Sequence, residues 1–144
     1  MNPQRKRIPK IEPFKHRVEV DPKFFDKSWK KLDDAIREIY NHNASGLSFE
    51  ELYRTAYNMV LHKHGGRLYD KLAENLKGHL REMGKLVEAA QGGLFLEELQ
   101  RRWADHIKAL QMIRDILMYM DRTFIPSSKK TPVFEHGLEL WRDI

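Results

Sequence analysis

Cysteine is absent from this chain of 144 residues. That excludes disulfides, thiol nucleophiles and cysteine-based zinc sites together, and it fits a reducing compartment. Long apolar runs are also missing: no stretch approaches the roughly 20 residues that span a bilayer, so no membrane partner is expected. The opening MNPQRKRIPK is basic with no apolar run behind it, and no secretory leader is expected there. Period-two runs bounded by turn residues do not occur, which argues against a sheet. What is present is 41% hydrophobic and 33% charged residues, a composition that suits one soluble globular domain.

Charge of one sign is lacking over most of the chain. The formal net charge is +5, which invites a nucleic-acid reading. Yet residues 1–17 hold Arg5, Lys6, Arg7, Lys10, Lys15 and Arg17 against Glu12 alone, an excess equal to the whole +5. The remainder is balanced and has no surplus to offer phosphates. Residues 1–20 carry three prolines and no sustained helical period, and read as an extended basic arm.

The rest of the chain is written in helical periods. Asp21-Pro22 looks like an N-cap followed by a first-turn proline. Phe25, Trp29, Leu32, Ile36, Ile39 and Tyr40 then recur at spacings of three and four. A second helix begins at Ser48, with Glu51 placed to complete a capping box and Leu47 and Leu52 placed as a hydrophobic staple. It is expected to reach about His64 and stop at Gly65-Gly66. A third carries Leu68, Tyr69, Leu72, Leu76, Leu80 and Met83, with a kink or a break expected at Gly84 and a short fourth helix from Lys85 to Ala90. A fifth is expected from Leu94 to Ile125, with a possible break near His106. Residues 126–132 read as a linker. The segment after them places Phe134, Leu138 and Trp141 on one helical face, with little chain left to pack against. The fold class expected is all-α, an antiparallel bundle of four or five helices behind an N-terminal arm.

Catalytic patterns are lacking too. Seven histidines are scattered without metal-ligand spacing, and read as surface or partly buried groups. His62 and His64 would fall on different helix faces. The acidic pairs Asp33-Asp34, Glu50-Glu51 and Glu97-Glu98 are adjacent in sequence, so they diverge on a helix and cannot share general acid–base work. Gly65-Gly66 and Gly92-Gly93 punctuate helices and do not form a phosphate loop. No enzyme and no cofactor is expected.

The second helix carries more apolar surface than one buried face requires. Leu52, Ala56, Met59 and Val60 form a stripe suited to the core. Phe49, Tyr53 and Tyr57 form another at i, i+4 and i+8, rotated by about 100°. Such a stripe is either further core or a contact surface. Tyrosine tolerates one wet end and is enriched at binding hot spots, and the fifth helix offers Asp115, Tyr119 and Arg122 at i, i+4 and i+7. Two adjacent helices could then present one tyrosine-rich patch with a charged rim. A self-associating bundle or a nucleic-acid binder with a basic arm are the alternatives the pattern leaves open.

Two long segments, GLSFEELYRTAYNMVLHKHG (46–65) and MIRDILMYMDRTF (112–124), resemble the amino-terminal domain of the cullin-3 family. FKHRVEVDPKF and EAAQGG are similar to the plant form. The resemblance implies a five-helix first cullin repeat over residues 21–125, with 126–144 opening a second. It implies a non-catalytic scaffold of a cullin-RING E3 ubiquitin ligase in cytoplasm and nucleus. Its partners would be BTB-domain substrate adaptors, with dimeric assembly through the adaptor. The RING subunit would bind only through a carboxy-terminal half that this sequence does not include. Carried over residue by residue, adaptor contacts fall on Leu47, Ser48, Phe49, Glu50, Tyr53 and Tyr57 of the second helix, on Tyr119 and Arg122 of the fifth, and on Ile11 and Phe14 of the arm. Pro13 beside Phe14 departs from the animal pattern.

Overall fold

A computed structural model describes residues 22–90 and 92–143. Among these, every regular element is helical. Ile11, Phe14 and Asp21 lie outside the described residues.

Helix α1 (Phe24–Tyr40) starts two residues later than the Asp21-Pro22 signal suggests, with Pro22 in the preceding turn. Its expected stripe is the buried one: Phe25, Leu32, Ile36 and Ile39. After a 3-10 turn at Ala44–Gly46 comes α2 (Phe49–Leu61). Ser48 Oγ accepts from the Glu51 amide at 3.3 Å, so half of the capping box is present. The Glu51 carboxylate stands 3.8 Å from Lys31 Nζ. Leu52 is buried and Leu47 packs against the core, as a staple requires.

Glycine does not end α1 or α2. After α2, the His64 amide donates to Met59 O at 2.8 Å and the Lys63 amide to Val60 O at 3.0 Å, with Lys63 at φ 69°. After α1, the Asn43 amide donates to Glu38 O and the His42 amide to Ile39 O, with His42 at φ 61°. This is the two-bond Schellman closure, with a side-chain-bearing residue in the left-handed position that glycine usually takes. Gly65 is instead the first residue of α3 (Gly65–Ala89). A Cβ there would stand 2.6 Å from the Phe124 ring, so this glycine serves a close approach and not a stop. Both His62 and His64 flank that turn and lie against Phe24, with ring centroids 5.2 and 5.9 Å apart. Neither lies inside a helix, so the expected separation onto different helix faces does not apply.

Gly84 breaks nothing. Leu68, Leu72, Leu76, Leu80, Met83 and Val87 form one buried stripe along an uninterrupted α3. The long helix expected up to Ile125 is divided, but not at His106. Helix α4 (Leu94–Ile116) ends at Leu117, and α5 (Met118–Arg122) and α6 (Phe124–Ser128) follow with Thr123 between them. Pro126 sits in the first turn of α6, where a missing N–H is harmless. Part of the expected linker is therefore helical.

Helix α4 is the central element, packed on α1, α2, α3, α5 and α7 (Val133–Asp143). The C-terminal segment is not short of partners. Val133 is fully buried. Gly137 lies so close to Leu110 that an added Cβ would overlap its side chain. Trp141 packs against Trp103 and stacks on His106.

His106 departs from the expectation of surface or partly buried histidines, being wholly enclosed. Its Nε2 is 3.0 Å from Gly137 O, and its Nδ1 is 3.1 Å from Tyr40 Oη. A carbonyl only accepts, so Nε2 carries the proton and Nδ1 accepts from the Tyr40 hydroxyl. Burial pushes the imidazole pKa down, and it pushes that of Tyr40 up. Both groups are thus held neutral while they tie α1, α4 and α7 together.

Candidate partner-binding face

The core stripe of α2 is Leu52, Ala56 and Met59, all buried against α1 and α4, with Val60 half-buried at its edge. The second stripe splits. Phe49 is half-buried and packs against the core, as does Leu47 beside it. Tyr53 stands out at 37% exposure. Tyr57 is half-buried, and its ring lies 4.4 Å from that of Tyr119, tilted by 54°. Two tyrosines distant in sequence therefore meet in one aromatic pair, an arrangement worth about 0.5–1.5 kcal/mol beyond the area it covers.

Their meeting depends on the break at Leu117, whose backbone (φ −99°, ψ 21°) leaves the helix. Beyond it, α5 packs on α2. Arg122, at the end of α5, is exposed. Glu50 is exposed and pairs with Arg54 at 3.0 Å. An exposed i, i+4 pair of this kind contributes little to stability, so both groups stay available to a partner. Ser48 is committed to capping α2. Asp115, grouped with Tyr119 and Arg122 by spacing, lies before the break and is 3.7 Å from its neighbour Arg114. The face assembled around Tyr53, Tyr57 and Tyr119 thus has charged groups of both signs at its margin. Ile11 and Phe14 fall outside the described residues.

The spacing argument missed Leu61. It is 50% exposed and continues the row one turn past Tyr57. The i, i+4 count would have found it had it been carried one step further. A second apolar surface also went unread. At the junction of α3 and α4, Leu94, Phe95 and Leu96 are 62%, 40% and 67% exposed. Phe95 and Leu96 border grooves of about 460 and 440 Å³, respectively, whose shared wall includes Leu99 and Trp141. Phe95 opens the helical period of this stretch, but the period does not say whether the face is covered, because exposure follows from which neighbours the fold supplies.

Among the described residues, no group of three or more histidine, aspartate or glutamate side chains is placed to hold a metal ion. No described helix is long and apolar enough to cross a membrane.

Comparison with known proteins identifies the family. The cullin family profile, described as the cullin alpha solenoid domain, matches residues 29–144. Cullin-3B of Arabidopsis thaliana is 66% identical over 143 residues, which is 99% of this chain and 20% of that protein. Cullin-3A of the same plant is 64% identical over the same length. Cullin-3 of Dictyostelium discoideum is 48% identical over 128 residues, 89% of this chain and 17% of that protein. The chain spans about a fifth of the length of these curated relatives.

Proposed function

The chain belongs to the cullin family, and from that premise we propose that it forms the adaptor-binding end of a cullin-3 scaffold. In this reading the scaffold serves an E3 ubiquitin ligase, and the face built from α2 and α5 receives the BTB domain of a substrate adaptor. The observation that carries the proposal is the tyrosine face. Tyr57 and Tyr119 pair across two helices, Tyr53 is exposed beside them, and Glu50, ion-paired with Arg54, and Arg122 are exposed at the margin. A surface with a large aromatic centre and a charged rim suits a protein partner better than a nucleic acid. The neutral charge balance beyond residue 17 points the same way.

We assign Ile11 and Phe14 a second contact with the adaptor, outside the BTB domain itself. The rest of the ligase, including the RING subunit, would be held by the portion of the relatives that this chain does not span. The exposed apolar end around Phe95, Leu96 and Trp141 fits the same picture. In a solenoid each layer covers its neighbour, and an uncovered layer leaves apolar side chains in water.

The reading is tested by titrating the chain into a panel of purified BTB-domain proteins by calorimetry. At least one is expected to bind the wild type, and to bind the Tyr119→Ala/Arg122→Glu variant at least tenfold more weakly, on the order of one aromatic hot spot. A second titration with residues 1–20 deleted is expected to show an intermediate loss at unchanged helicity. Equal affinity of wild type and double variant for every binder would overturn the assignment.

A further inference from the structure

Helix α5 has only five residues, fewer than a helix needs to stand by itself. It is bounded by non-helical backbone at Leu117 and by Thr123 at φ −118°, ψ −63°. Its position is therefore imposed from outside, through three successive side chains that diverge by about 100° each. Tyr119 packs on Tyr57 of α2. Met120 is fully buried in the core. Asp121 reaches across twelve residues, where its Oδ1 accepts from the Val133 amide at 2.9 Å.

That amide belongs to the first residue of α7. The Pro132 carbonyl accepts from the His136 amide at 2.8 Å, so Pro132 holds the N-cap position. Proline has no side-chain acceptor to offer the first-turn amides. Asp121 supplies one from another helix. The loop that presents Val133 is held as well, since the Tyr69 hydroxyl donates to Thr131 O at 2.9 Å. The donor thus stands on a fixed base formed by α3 and α7, and the acceptor rides on the short helix that carries Tyr119 and Arg122.

We infer that Asp121 is a positioning residue for the partner-binding face: its bond to the α7 amide sets the orientation of α5 and so the placement of Tyr119 and Arg122. This rests on the adaptor reading above and deepens it. One consequence is that the docking of α7 and the shape of the adaptor face are coupled through the Asp121 carboxylate.

The test is a double-mutant cycle on the dissociation constant for a BTB domain that binds the wild-type chain. Asp121→Ala is expected to weaken binding about five- to tenfold, the scale of losing one helix cap. Asp121→Asn keeps an Oδ1 acceptor and is expected to stay within about twofold of wild type. In a Tyr119→Ala/Arg122→Ala background, Asp121→Ala is expected to add almost nothing, because the groups it positions are gone. The same fold loss in both backgrounds would mean a merely structural cap and would overturn the inference, as would wild-type affinity of Asp121→Ala. Wild-type affinity of Tyr119→Ala/Arg122→Ala would instead overturn the adaptor reading, and this inference with it. If Asp121→Ala does not fold, Asp121→Ser, which leaves the site polar but is too short to span it, takes its place in the cycle.

Discussion

Replacing Tyr53 by alanine separates partner binding from folding more cleanly than any other change on the tyrosine face. Tyr53 is 37% exposed, whereas Phe49, four residues earlier, is half-buried and packs against the core. A tyrosine buries about 150–250 Å² when fully covered, so the uncovered part of Tyr53 amounts to roughly 55–90 Å². At about 25 cal/mol per Å², covering that area with a partner contributes about 1.5–2 kcal/mol. That corresponds to about 10- to 30-fold in the dissociation constant. The uncovered part of the ring has no partner in the isolated chain, so the stability lost there comes only from the covered part, which is not among the side chains packed against the core. Phe49→Ala should behave oppositely: it empties space against the core and costs about 1–3 kcal/mol of stability. Calorimetric titration with a binding BTB domain, paired with thermal melting by circular dichroism, reads both quantities. Tyr53→Ala should shift the dissociation constant while lowering the melting temperature less than Phe49→Ala, which should lower it by about 4–8 °C. Tyr53→Ala with unchanged affinity would refute the reasoning, and so would a melting loss equal to that of Phe49→Ala.

Two further outcomes follow from the packing of α7. Gly137→Ala should destabilise the chain by about 1–3 kcal/mol, because the new methyl overlaps Leu110 and overpacking outweighs the helix-propensity gain of about 1 kcal/mol; a raised melting temperature in denaturant or heat would contradict this. Stability should also fall on acidification. Burial lowers the pKa of His106, so the unfolded chain binds the proton more readily; the stabilisation is complete above about pH 6.5 and is lost as pH drops toward the folded-state value, at up to ~1.4 kcal/mol per pH unit for this group. Burial lowers His79 and His136 in the same direction. His106→Gln, which can still donate to Gly137 O, should show a shallower decline between pH 7 and 5 in urea unfolding; an identical slope would show that His106 does not govern it.

Apolar periodicity along α1, α2 and α3 was legible because it is a local property of a helix in contact with something. The stripes Phe25–Ile39, Leu52–Met59 and Leu68–Met83 are the buried ones, and Ser48 caps α2 as the pattern indicates. The family was legible for a related reason. Two long segments carry the resemblance, and the cullin profile over residues 29–144 bears the family out. The second stripe on α2 was readable as surplus to one buried face, with core and contact surface both open, but its division into packed Phe49 and exposed Tyr53 was not.

Chain punctuation misled wherever a tertiary contact decided the matter. Gly65 and Gly84 look alike in sequence. One lies against Phe124 at the start of α3, and the other sits inside an unbroken helix. The α2 stop is instead made by Lys63 in a left-handed conformation. The stretch from Leu94 to Ile125 keeps its helical period throughout, yet it breaks at Leu117. There α5 turns onto α2 and is held by Met120, Tyr119 and the carboxylate of Asp121. The sequence by itself determined that this chain is helical, which faces are apolar, and which family it joins, since those depend on the order of side chains along each helix. Only the tertiary structure decided that Tyr57 meets Tyr119, that His106 is sealed beneath Trp141, and that α7 is docked. Each of these depends on bonds and contacts between residues tens of positions apart, to which no local period responds.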